Sequence, residues 1–492
     1  MNAIAGRRIN KHRRVCNMNT IMYLLILLLS VAALIFFNVK LKVNSFIALF
    51  ATAAVLSVLF GASPAEALNA VNTAFGETIG SIGMVVILGA VLAMGVQDSG
   101  AATSITNFFI RLFKGKRLEL APALTAFIMS ISVFGDVTQL LTSPIAARIG
   151  KRRHISMSVI TPYTIVGVWL THGVVPPSAG ILAVCIILGA DVGMAIFWSL
   201  IVCFATLILT YTLTIPIMKK TEFIKAKPEF TTGVEQAPEH ASISELMIQE
   251  DHPLSPLSAF LPLIVPALLI TAGSLGNMLF PNHSQLIGFT SFIGDKTIAM
   301  LIGIIILLLT CTKRKEQLIK GARESDSPIG ENPTLLELGF GNWIERGIKV
   351  ASLVIMITAM GGAFSTILKS HPAVNEIADT VVSSGIPMLL IPFSISAVMR
   401  AACGSMATAT MTAAGICAPI MDAMGLSPLA VALTIGMGSL LFGHVNDSGM
   451  WMCCEMFNLK PEQYLKYVTS ITTLAGIIGF ILLFILNCIG LL

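Results

Sequence analysis

The sequence predicts an all-α polytopic membrane protein built from two inverted-topology repeats, each with a re-entrant hairpin and a broken transmembrane helix. Three observations support this fold class. Hydrophobic residues make up 55% of the 492 residues and charged residues only 12%, whereas ordinary soluble domains carry about 25% charged residues. Long apolar runs recur along the whole chain, as in helical membrane proteins. The order of elements in the first half also returns in the second half.

The composition limits the class of protein further. The mean hydropathy is +0.85, and short alternating strands of the kind found in β-barrels are not visible in the sequence. The net charge of +5 comes from lysines and arginines in loops, so it does not indicate a nucleic-acid partner. The nine cysteines show no metal-ligand spacing. We therefore expect a multi-pass protein without a cofactor or a metal centre.

The first half is assigned to residues 19–218, after a basic tail at 1–18 that we expect to be disordered. Its first three spans are predicted at Ile21–Phe37, Val43–Phe60 and Ile79–Val96. Each is an apolar run close to the roughly 20 residues that cross a bilayer as a helix. The half is therefore expected to begin with three uninterrupted spans.

A re-entrant hairpin is predicted over residues 119–147. Basic clusters at 111–117 and 148–153 flank this apolar segment, and Lys and Arg accumulate on the cytoplasmic side of a membrane. Both ends of the segment are then cytoplasmic, so the chain enters and leaves on the same side. The interruption Gly135–Gln139 is expected to form the tip, because irregular backbone at membrane depth is tolerated only inside protein.

A broken helix is predicted next. The stretch Ile155–Ala190 has about 36 residues, which is too many for one span of roughly 20. Two adjacent prolines, Pro176-Pro177, lie in its middle, and proline disfavours helix in the residue before it. We expect an unwound break at Thr171–Gly180, followed by a further span at Met194–Met218.

The second half, residues 257–492, follows a polar cytoplasmic linker at 219–256 and repeats the order of the first half. An offset of 272 residues aligns His172 with His444. The flanks of the second hairpin carry one basic residue, against eight around the first, so the two hairpins are predicted to enter from opposite sides. The predicted elements are the spans Leu257–Leu275, Thr297–Thr310, Ala351–Leu368 and Val468–Leu491, the hairpin tip Cys403–Thr410 and the break Gly443–Gly449.

The four broken places are predicted to meet near the bilayer midplane and to bind an anion there. Inverted repeats place such breaks at the midplane, where the N-termini of half-helices point at anionic groups of the substrate. Free amide groups and the positive end of the helix dipole favour a carboxylate or a phosphate. The candidate substrate-binding residues are Thr138, Thr171, His172, Arg400, Gly404, Ser405, Thr408, His444, Asn446 and Ser448.

Two aspartates are the candidates for proton coupling. Asp136 lies inside an apolar run, where a charge costs about 2.5–3.5 kcal/mol on insertion scales, and Asp447 lies in the second break. Histidine titrates near neutral pH, so His172 and His444 suit the same role, although a histidine that braces the helix break is an equal alternative. Arg400 is open to two interpretations, binding a carboxylate or pairing with a helix end.

Several motifs match one known family. They are Thr171-His172-Gly173 with Pro176-Pro177, Arg400 with Gly404-Ser405, Gly294-Asp295, and Gly443-His444-Val445-Asn446-Asp447-Ser448-Gly449 with Trp451. On these motifs the chain, from about residue 20 onward, resembles the gluconate:proton symporter (gluconate permease) family of the ion-transporter superfamily. The resemblance implies a secondary active transporter and not an enzyme, in the bacterial inner membrane. It would import a gluconate-like sugar acid, or a related hydroxy or amino acid, with protons by alternating access.

The partners implied by the resemblance are a small carboxylate, a proton and membrane lipid, with no nucleic acid; a homodimer stays open. The sequence departs from the family in three places. Gluconate permeases usually carry a glutamate after an aromatic residue where this chain has Gly135-Asp136, a His-Pro-Gly-Pro run in place of Ser178-Ala179-Gly180, and a proline in place of Ser448. These departures leave carboxylate transport as the implied function without specifying gluconate.

Three alternatives to proton symport follow from the sequence: sodium-coupled uptake, a membrane-embedded enzyme, and a channel, which saturable uptake against a gradient would exclude. Sodium-coupled uptake of a carboxylate or dicarboxylate is the alternative, since backbone carbonyl groups at the same breaks would bind Na⁺. A membrane-embedded enzyme is not expected, because no pair of His and Glu ligands at helical spacing occurs in the sequence.

Overall fold

The fold is all-helical, as the sequence predicts. No strand occurs among the residues that the structure describes, and the tail at 1–18 lies outside them. The computed structural model describes residues 20–238, 241–248, 254–279, 284–324, 329–369, 387–421, 425–444 and 447–492.

The helices follow one another in the order expected for two similar halves. In the first half they are α1 (Thr20–Ile35), α2 (Ser45–Leu59), α3 (Pro64–Ser99), α4 (Ala101–Leu112), α5 (Leu120–Met129), α6 (Gly135–Arg152), α7 (Met157–Val174), α8 (Ala179–Leu188) and α9 (Val192–Met218). In the second half they are α10 (Pro256–Leu279), α11 (Ser284–Ile293), α12 (Lys296–Thr310), α13 (Lys315–Glu324), α14 (Trp343–Lys369), α15 (Leu390–Cys403), α16 (Met406–Cys417), α17 (Pro428–Gly438), α18 (Ser448–Phe457) and α19 (Ser470–Cys488).

Six stretches among the described residues are long and apolar enough to cross a membrane, and α12 with α13 forms a bent pair that would make a seventh. The polytopic character predicted from the sequence is therefore confirmed. The six are Pro64–Ser99, Met157–Leu188, Val192–Met218, Pro256–Gly276, Glu337–Leu368 and Pro461–Cys488.

Helix α3 is much longer than the predicted span Ile79–Val96 that it contains. It begins with a capping box, in which Ser63 Oγ accepts from the amide of Glu66 and the Glu66 carboxylate accepts from the amide of Ser63. It ends at Gly100, whose φ of 70° is left-handed and stops the helix. Its 36 residues correspond to a length of about 54 Å, which exceeds the roughly 30 Å hydrocarbon core of a bilayer.

The first helix break lies earlier than the sequence analysis predicted. Residues Gly135–Gln139 are helical and form the first turn of α6, while the non-helical connection from α5 is Ser130–Phe134. The prediction of a tip at Gly135–Gln139 is therefore wrong by about one helical turn. Glycine and aspartate were read as helix breakers, but an acidic residue in the first turn is favoured by the helix dipole, and Asp136 occupies that turn.

Two of the other breaks are shorter than predicted, whereas α17 ends at Gly438, five residues before the predicted break Gly443–Gly449. Helix α7 runs to Val174 and α8 begins at Ala179, so the break is 175–178 and contains a cis Pro176-Pro177 bond. Within the predicted tip Cys403–Thr410, only Gly404-Ser405 is non-helical. In these two places helix extends into the predicted loop from both sides, which brings the helix starts close to the break residues.

The internal repeat stays a prediction, and the helix positions can be compared at the offset that it requires. The offset of 272 residues that aligns His172 with His444 places α5 at residues 392–401, within α15. The same offset places the first residue of α6 at residue 407, the second residue of α16. It places the first residue of α7 at residue 429, the second residue of α17, and it places α8 at residues 451–460, which overlap α18. The inverted relation between the two halves stays a prediction.

The segment between the halves packs against the first half. Asn107 Nδ2 donates to the carbonyl of Ile248 and the amide of Ile248 donates to Asn107 Oδ1, both at 2.8 Å. Arg152 Nη1 donates to the carbonyl of Glu245 at 3.0 Å. These bonds hold the segment against the middle of α4 and the C-terminal end of α6.

The same segment also reaches the second half. Lys227 Nζ lies 2.5 Å from Glu455 Oε1 on α18, and this hydrogen bond raises the pKa of Lys227. Asn458 Nδ2, at the end of α18, donates to the carbonyl of Lys225 at 3.0 Å. The linker therefore contacts the C-terminal ends of both α6 and α18.

Helices α3 and α14 form the most extensive helix pair in the described structure. Asp98, whose side chain is fully buried, accepts from Trp343 Nε1 at 2.9 Å and from both terminal nitrogens of Arg346, at 2.7 and 3.1 Å. One bidentate ion pair thus fastens the end of the first-half helix to the start of the second-half helix.

Candidate functional site

A cavity of about 150 Å³ lies between the two halves, and we call it the inter-half cavity. Its wall combines residues from the start of α6, the end of α7 and the start of α8 with residues from α14, α15, α16 and the residue before α18. The lining residues are Phe134, Gly135, Asp136, Trp169, His172, Ala179, Gly180, Val354, Arg400, Ser405, Met406, Ala407 and Asp447.

Four helices begin at this cavity. Gly135 is the first residue of α6, Ala179 of α8 and Met406 of α16, and all three line the cavity. Asp447, the residue before α18, lines it as well. Because the first amide groups of a helix have no partner within the helix and carry partial positive charge, four helix starts favour a negatively charged ligand.

Arg400 is the cation among the lining residues. It sits in the last turn of α15, where the carbonyl groups of a helix end favour a positive charge, and only 2% of its surface is exposed. Its Nη2 donates to Asp447 Oδ2. Its Nε and Nη1 have no hydrogen-bond partner within the described part of the chain. Two strong donors are therefore available to a ligand.

Asp447 serves two contacts with its two oxygen atoms. Oδ2 accepts from Arg400, while Oδ1 accepts from the amide of Gly449 at 2.9 Å and caps the start of α18. Gly443 lies close to the ion pair, because a methyl group added at this position would lie 3.1 Å from Arg400 Nη2. The loop that contains Gly443 therefore approaches the buried Arg400–Asp447 pair closely.

Asp136 differs from Asp447 in its surroundings. Its side chain is exposed and lines the inter-half cavity, and its carboxylate makes no hydrogen bond or ion pair with the described residues. Together the lining side chains carry one cation and two carboxylates. With both carboxylates ionised, the cavity has a net charge of −1.

The two histidines of the aligned motifs have different positions. His172 lines the cavity, and its Nδ1 forms a 3.1 Å hydrogen bond with Ser178 Oγ across the first helix break. His444 does not line it, and its Nε2 donates to the carbonyl of Ala401 at 2.7 Å. His444 thus ties the second break to the end of α15, next to Arg400.

Four further candidates among the described residues, Thr138, Thr171, Gly404 and Thr408, do not line the cavity. Thr171 Oγ1 donates to the carbonyl of Gly167 in its own helix at 3.1 Å. Thr138 and Thr408 are buried, and within the described residues their hydroxyl groups have no partner. Gly404 ends α15 with a φ of 75°. Asn446 and the side chain of Ser448 lie outside the described residues.

The apolar part of the wall of the inter-half cavity was not predicted from the sequence. Trp169 stands between the halves, since methyl groups added at Gly135 and Gly449 would lie 2.8 and 3.1 Å from its ring. Phe134, Val354 and Met406 complete this wall. The signal available in the sequence was spacing: Trp169 precedes His172 by three residues, which places both on the same helix face.

Comparisons with known proteins agree on one family. A family model described as GntP family permease matches residues 22–489. The chain is 28% identical to the high-affinity gluconate transporter of Escherichia coli, over 95% of this chain and 100% of that protein. It is 29% identical to a gluconate permease of Zymomonas mobilis, over 96% and 99%. It is 26% identical to the Gnt-II system L-idonate transporter of Escherichia coli, over 95% and 100%.

A solved structure supports the fold. The crystal structure of the Alcanivorax borkumensis YdaH transporter matches 96% of this chain and 98% of that chain, with a TM-score of 0.55 and 14% sequence identity. At this identity the match shows a shared fold and nothing further.

Proposed function

Because this chain belongs to the GntP family of permeases, we propose that it imports a small organic anion together with protons by alternating access. The chain is a multi-pass transporter of the bacterial inner membrane and not an enzyme, since its named relatives are permeases and transporters. We propose as substrate a gluconate-like sugar acid or a related hydroxy or amino acid. The gluconate and L-idonate relatives support this class of substrate.

The buried guanidinium of Arg400 is the observation that supports anion binding most strongly. A buried charged group is unfavourable unless it is paired and hydrogen-bonded, yet two of the three nitrogens of Arg400 have no partner among the described residues. A carboxylate would supply acceptors for these donors and would also face the starts of α6, α8 and α16.

The rest of the cavity wall suits a small hydroxylated acid. His172 and Ser405 offer polar groups for hydroxyl or amino substituents, whereas Trp169 and Phe134 offer aromatic faces to the carbon chain. A ligand pocket commonly combines such an apolar wall with a few placed polar groups. The polar groups would fix the orientation of the substrate after Arg400 has bound its carboxylate.

Asp136 is proposed as the proton-coupling residue that exchanges protons with the water of the cavity, and Asp447 is the second proton-coupling residue. Asp136 faces the cavity without a cationic partner among the described residues, so its charge is not neutralised by the protein. A proton gradient can drive uptake only if protonation changes the affinity for the anion or the rate at which the loaded protein changes conformation. A carboxylate in the same cavity as the anion meets that requirement through charge repulsion.

The alternating access that we propose uses the two similar halves. The paired short helices α5–α6 and α15–α16 would be re-entrant hairpins, and the two halves would be inverted repeats that rock around the shared cavity. Residues from both halves line the cavity, which is the arrangement that such a mechanism requires.

Uptake into proteoliposomes tests the proposal. We expect an inward proton gradient, with no sodium present, to drive accumulation of a labelled sugar acid, and a protonophore to abolish it. Competition by gluconate, glycerate, ketogluconate and D-serine would identify the substrate. Accumulation that requires a sodium gradient would instead support the sodium-coupled alternative, and the absence of uptake for all of these acids would contradict the proposal.

A further inference from the structure

The ion pair between Arg400 and Asp447 lies in the wall of the inter-half cavity, and both side chains are almost fully buried, at 2% and 5% exposed. We propose that the substrate carboxylate displaces Asp447 from Arg400 and that the released Asp447 takes up a proton. This one exchange would couple anion binding to proton binding. The inference rests on the proposed function and adds the step by which coupling occurs.

The competition follows from the number of cations. Arg400 is the cation among the lining residues, and its Nη2 already binds Asp447. A substrate carboxylate that binds Arg400 closely must share or replace this contact. Replacement leaves Asp447 as a buried carboxylate without its cation, which is strongly unfavourable in a medium of low dielectric constant.

The charge of the cavity requires a proton. With Arg400, Asp136 and Asp447 ionised, the lining has a net charge of −1, and a monocarboxylate would lower it to −2. Repulsion between like charges is strong when water is excluded. Uptake of one proton restores the original charge, so the substrate-bound and substrate-free cavities carry the same charge.

Asp447 suits this proton better than Asp136 does. Asp136 has no ion-pair partner among the described residues, so substrate binding removes no cation from it. Asp447 is buried and loses its cation in the exchange. The groups that face this pair from the surrounding elements are Asp136 of α6, His172 of α7, Cys453 of α18 and Tyr464, just before α19.

The two oxygens of Asp447 allow the exchange without loss of the helix start. Protonation at Oδ2 removes the charge that bound Arg400, whereas Oδ1 continues to accept from the amide of Gly449. In the balanced step, the Arg400–Asp447 pair, one carboxylate and one proton yield an Arg400–carboxylate pair and a neutral Asp447. No bond other than the new O–H bond is formed or broken.

Two measurements on the purified protein in weakly buffered detergent test this step. A pH indicator dye is expected to report uptake of about one proton per bound sugar acid, and the dissociation constant is expected to rise about tenfold per pH unit over the range in which that proton is taken up. In Asp447→Asn, which cannot take up this proton, the proton signal is expected to vanish and binding to become independent of pH over that range.

One further variant completes the test. Asp191→Asn, at a helix cap away from the cavity, controls for the aspartate-to-asparagine change and is expected to retain the proton signal on binding. A wild-type protein that binds sugar acid without taking up a proton would overturn the inference by itself, even if Asp447→Asn does not fold. A proton signal that persists in Asp447→Asn would also overturn it. In both cases proton-driven uptake by the wild type would still stand, whereas a wild type that binds and transports no carboxylate would contradict the proposed function instead.

Discussion

At the residue scale, the two aspartates that line the cavity are expected to have different roles in proton coupling. Asp447 is buried, paired with Arg400 and fixed at a helix start. Asp136 is exposed and makes no hydrogen bond within the described residues. We expect Asp136 to exchange protons with water and Asp447 to respond to the substrate.

Replacement of Asp136 tests the first of these roles. In Asp136→Asn we expect proton-driven accumulation to fall by roughly 5–150-fold, the range of a typical coupling free energy, while counterflow exchange of labelled for unlabelled substrate falls less. Asp136→Glu, which keeps a carboxylate, should restore accumulation. Equal loss in both assays would mean that Asp136 binds substrate or supports the fold, and does not carry the proton.

The sequence identified the charged residues of the site but not their relations. An arginine and aspartates inside apolar runs are conspicuous, because such charges are unfavourable in a membrane. The pairing of Arg400 with Asp447 is a tertiary contact across 47 residues, which no local pattern encodes. Trp169 was not predicted as a site residue, because an aromatic residue in an apolar helix can face lipid, core or cavity and its type does not distinguish these positions.

At the scale of elements, the helix breaks determine where the cavity forms. The sequence predicted the four breaks near the cavity from glycine, proline and polar residues, and placed the first about one helical turn too late. Composition identifies that a helix is interrupted, but capping and packing decide which residues join the helix on each side. This difference matters here because Asp136 belongs to a helix start and not to a loop.

The linker is an element with more structure than its polar sequence suggested. Asn107 binds both main-chain groups of Ile248 through a side chain that is itself buried. Asn107→Ala would leave those groups without partners, so we expect the free energy of unfolding to fall by about 1–3 kcal/mol and proteolysis of the linker to become faster.

Denaturant titration and limited proteolysis in detergent check this expectation. Gln236→Ala is the matched control, because it removes one exposed hydrogen bond, to His154 at 3.3 Å. If Asn107→Ala and Gln236→Ala behave alike in both assays, the linker is not held against α4 as the structure indicates.

At the scale of the whole molecule, the halves are joined along α3 and α14 as well as at the cavity. The sequence predicted two similar halves from the order of elements, but their interface involves residues that lie more than two hundred positions apart. The pair Asp98–Arg346 is the clearest example, with a separation of 248 residues. The sequence does not predict this ion pair, because Asp98 and Arg346 each resemble the polar residues found at the end of a span.

Arg346→Ala would leave the Asp98 carboxylate buried without its cation. Removal of one member of a buried ion pair is strongly destabilising, so we expect a loss of roughly 3–5 kcal/mol in the free energy of unfolding. Glu455→Ala, which removes the exposed member of the Lys227–Glu455 pair while Lys227 keeps Glu229, should cause no measurable loss in the same titration. Comparable stability of the two variants would show that the Asp98–Arg346 pair does not fasten the halves.

The central claim, that Arg400 binds the substrate carboxylate in a cavity shared by both halves, is tested most directly by binding of a labelled sugar acid to purified Arg400→Gln and Arg400→Lys. We predict that Arg400→Gln weakens binding by roughly 10–100-fold, as expected for loss of hydrogen bonds to a charged group, and that Arg400→Lys weakens it less. Arg400→Gln combined with Asp447→Asn removes both buried charges and controls for misfolding. Binding of wild-type strength in a folded Arg400→Gln protein would contradict the claim.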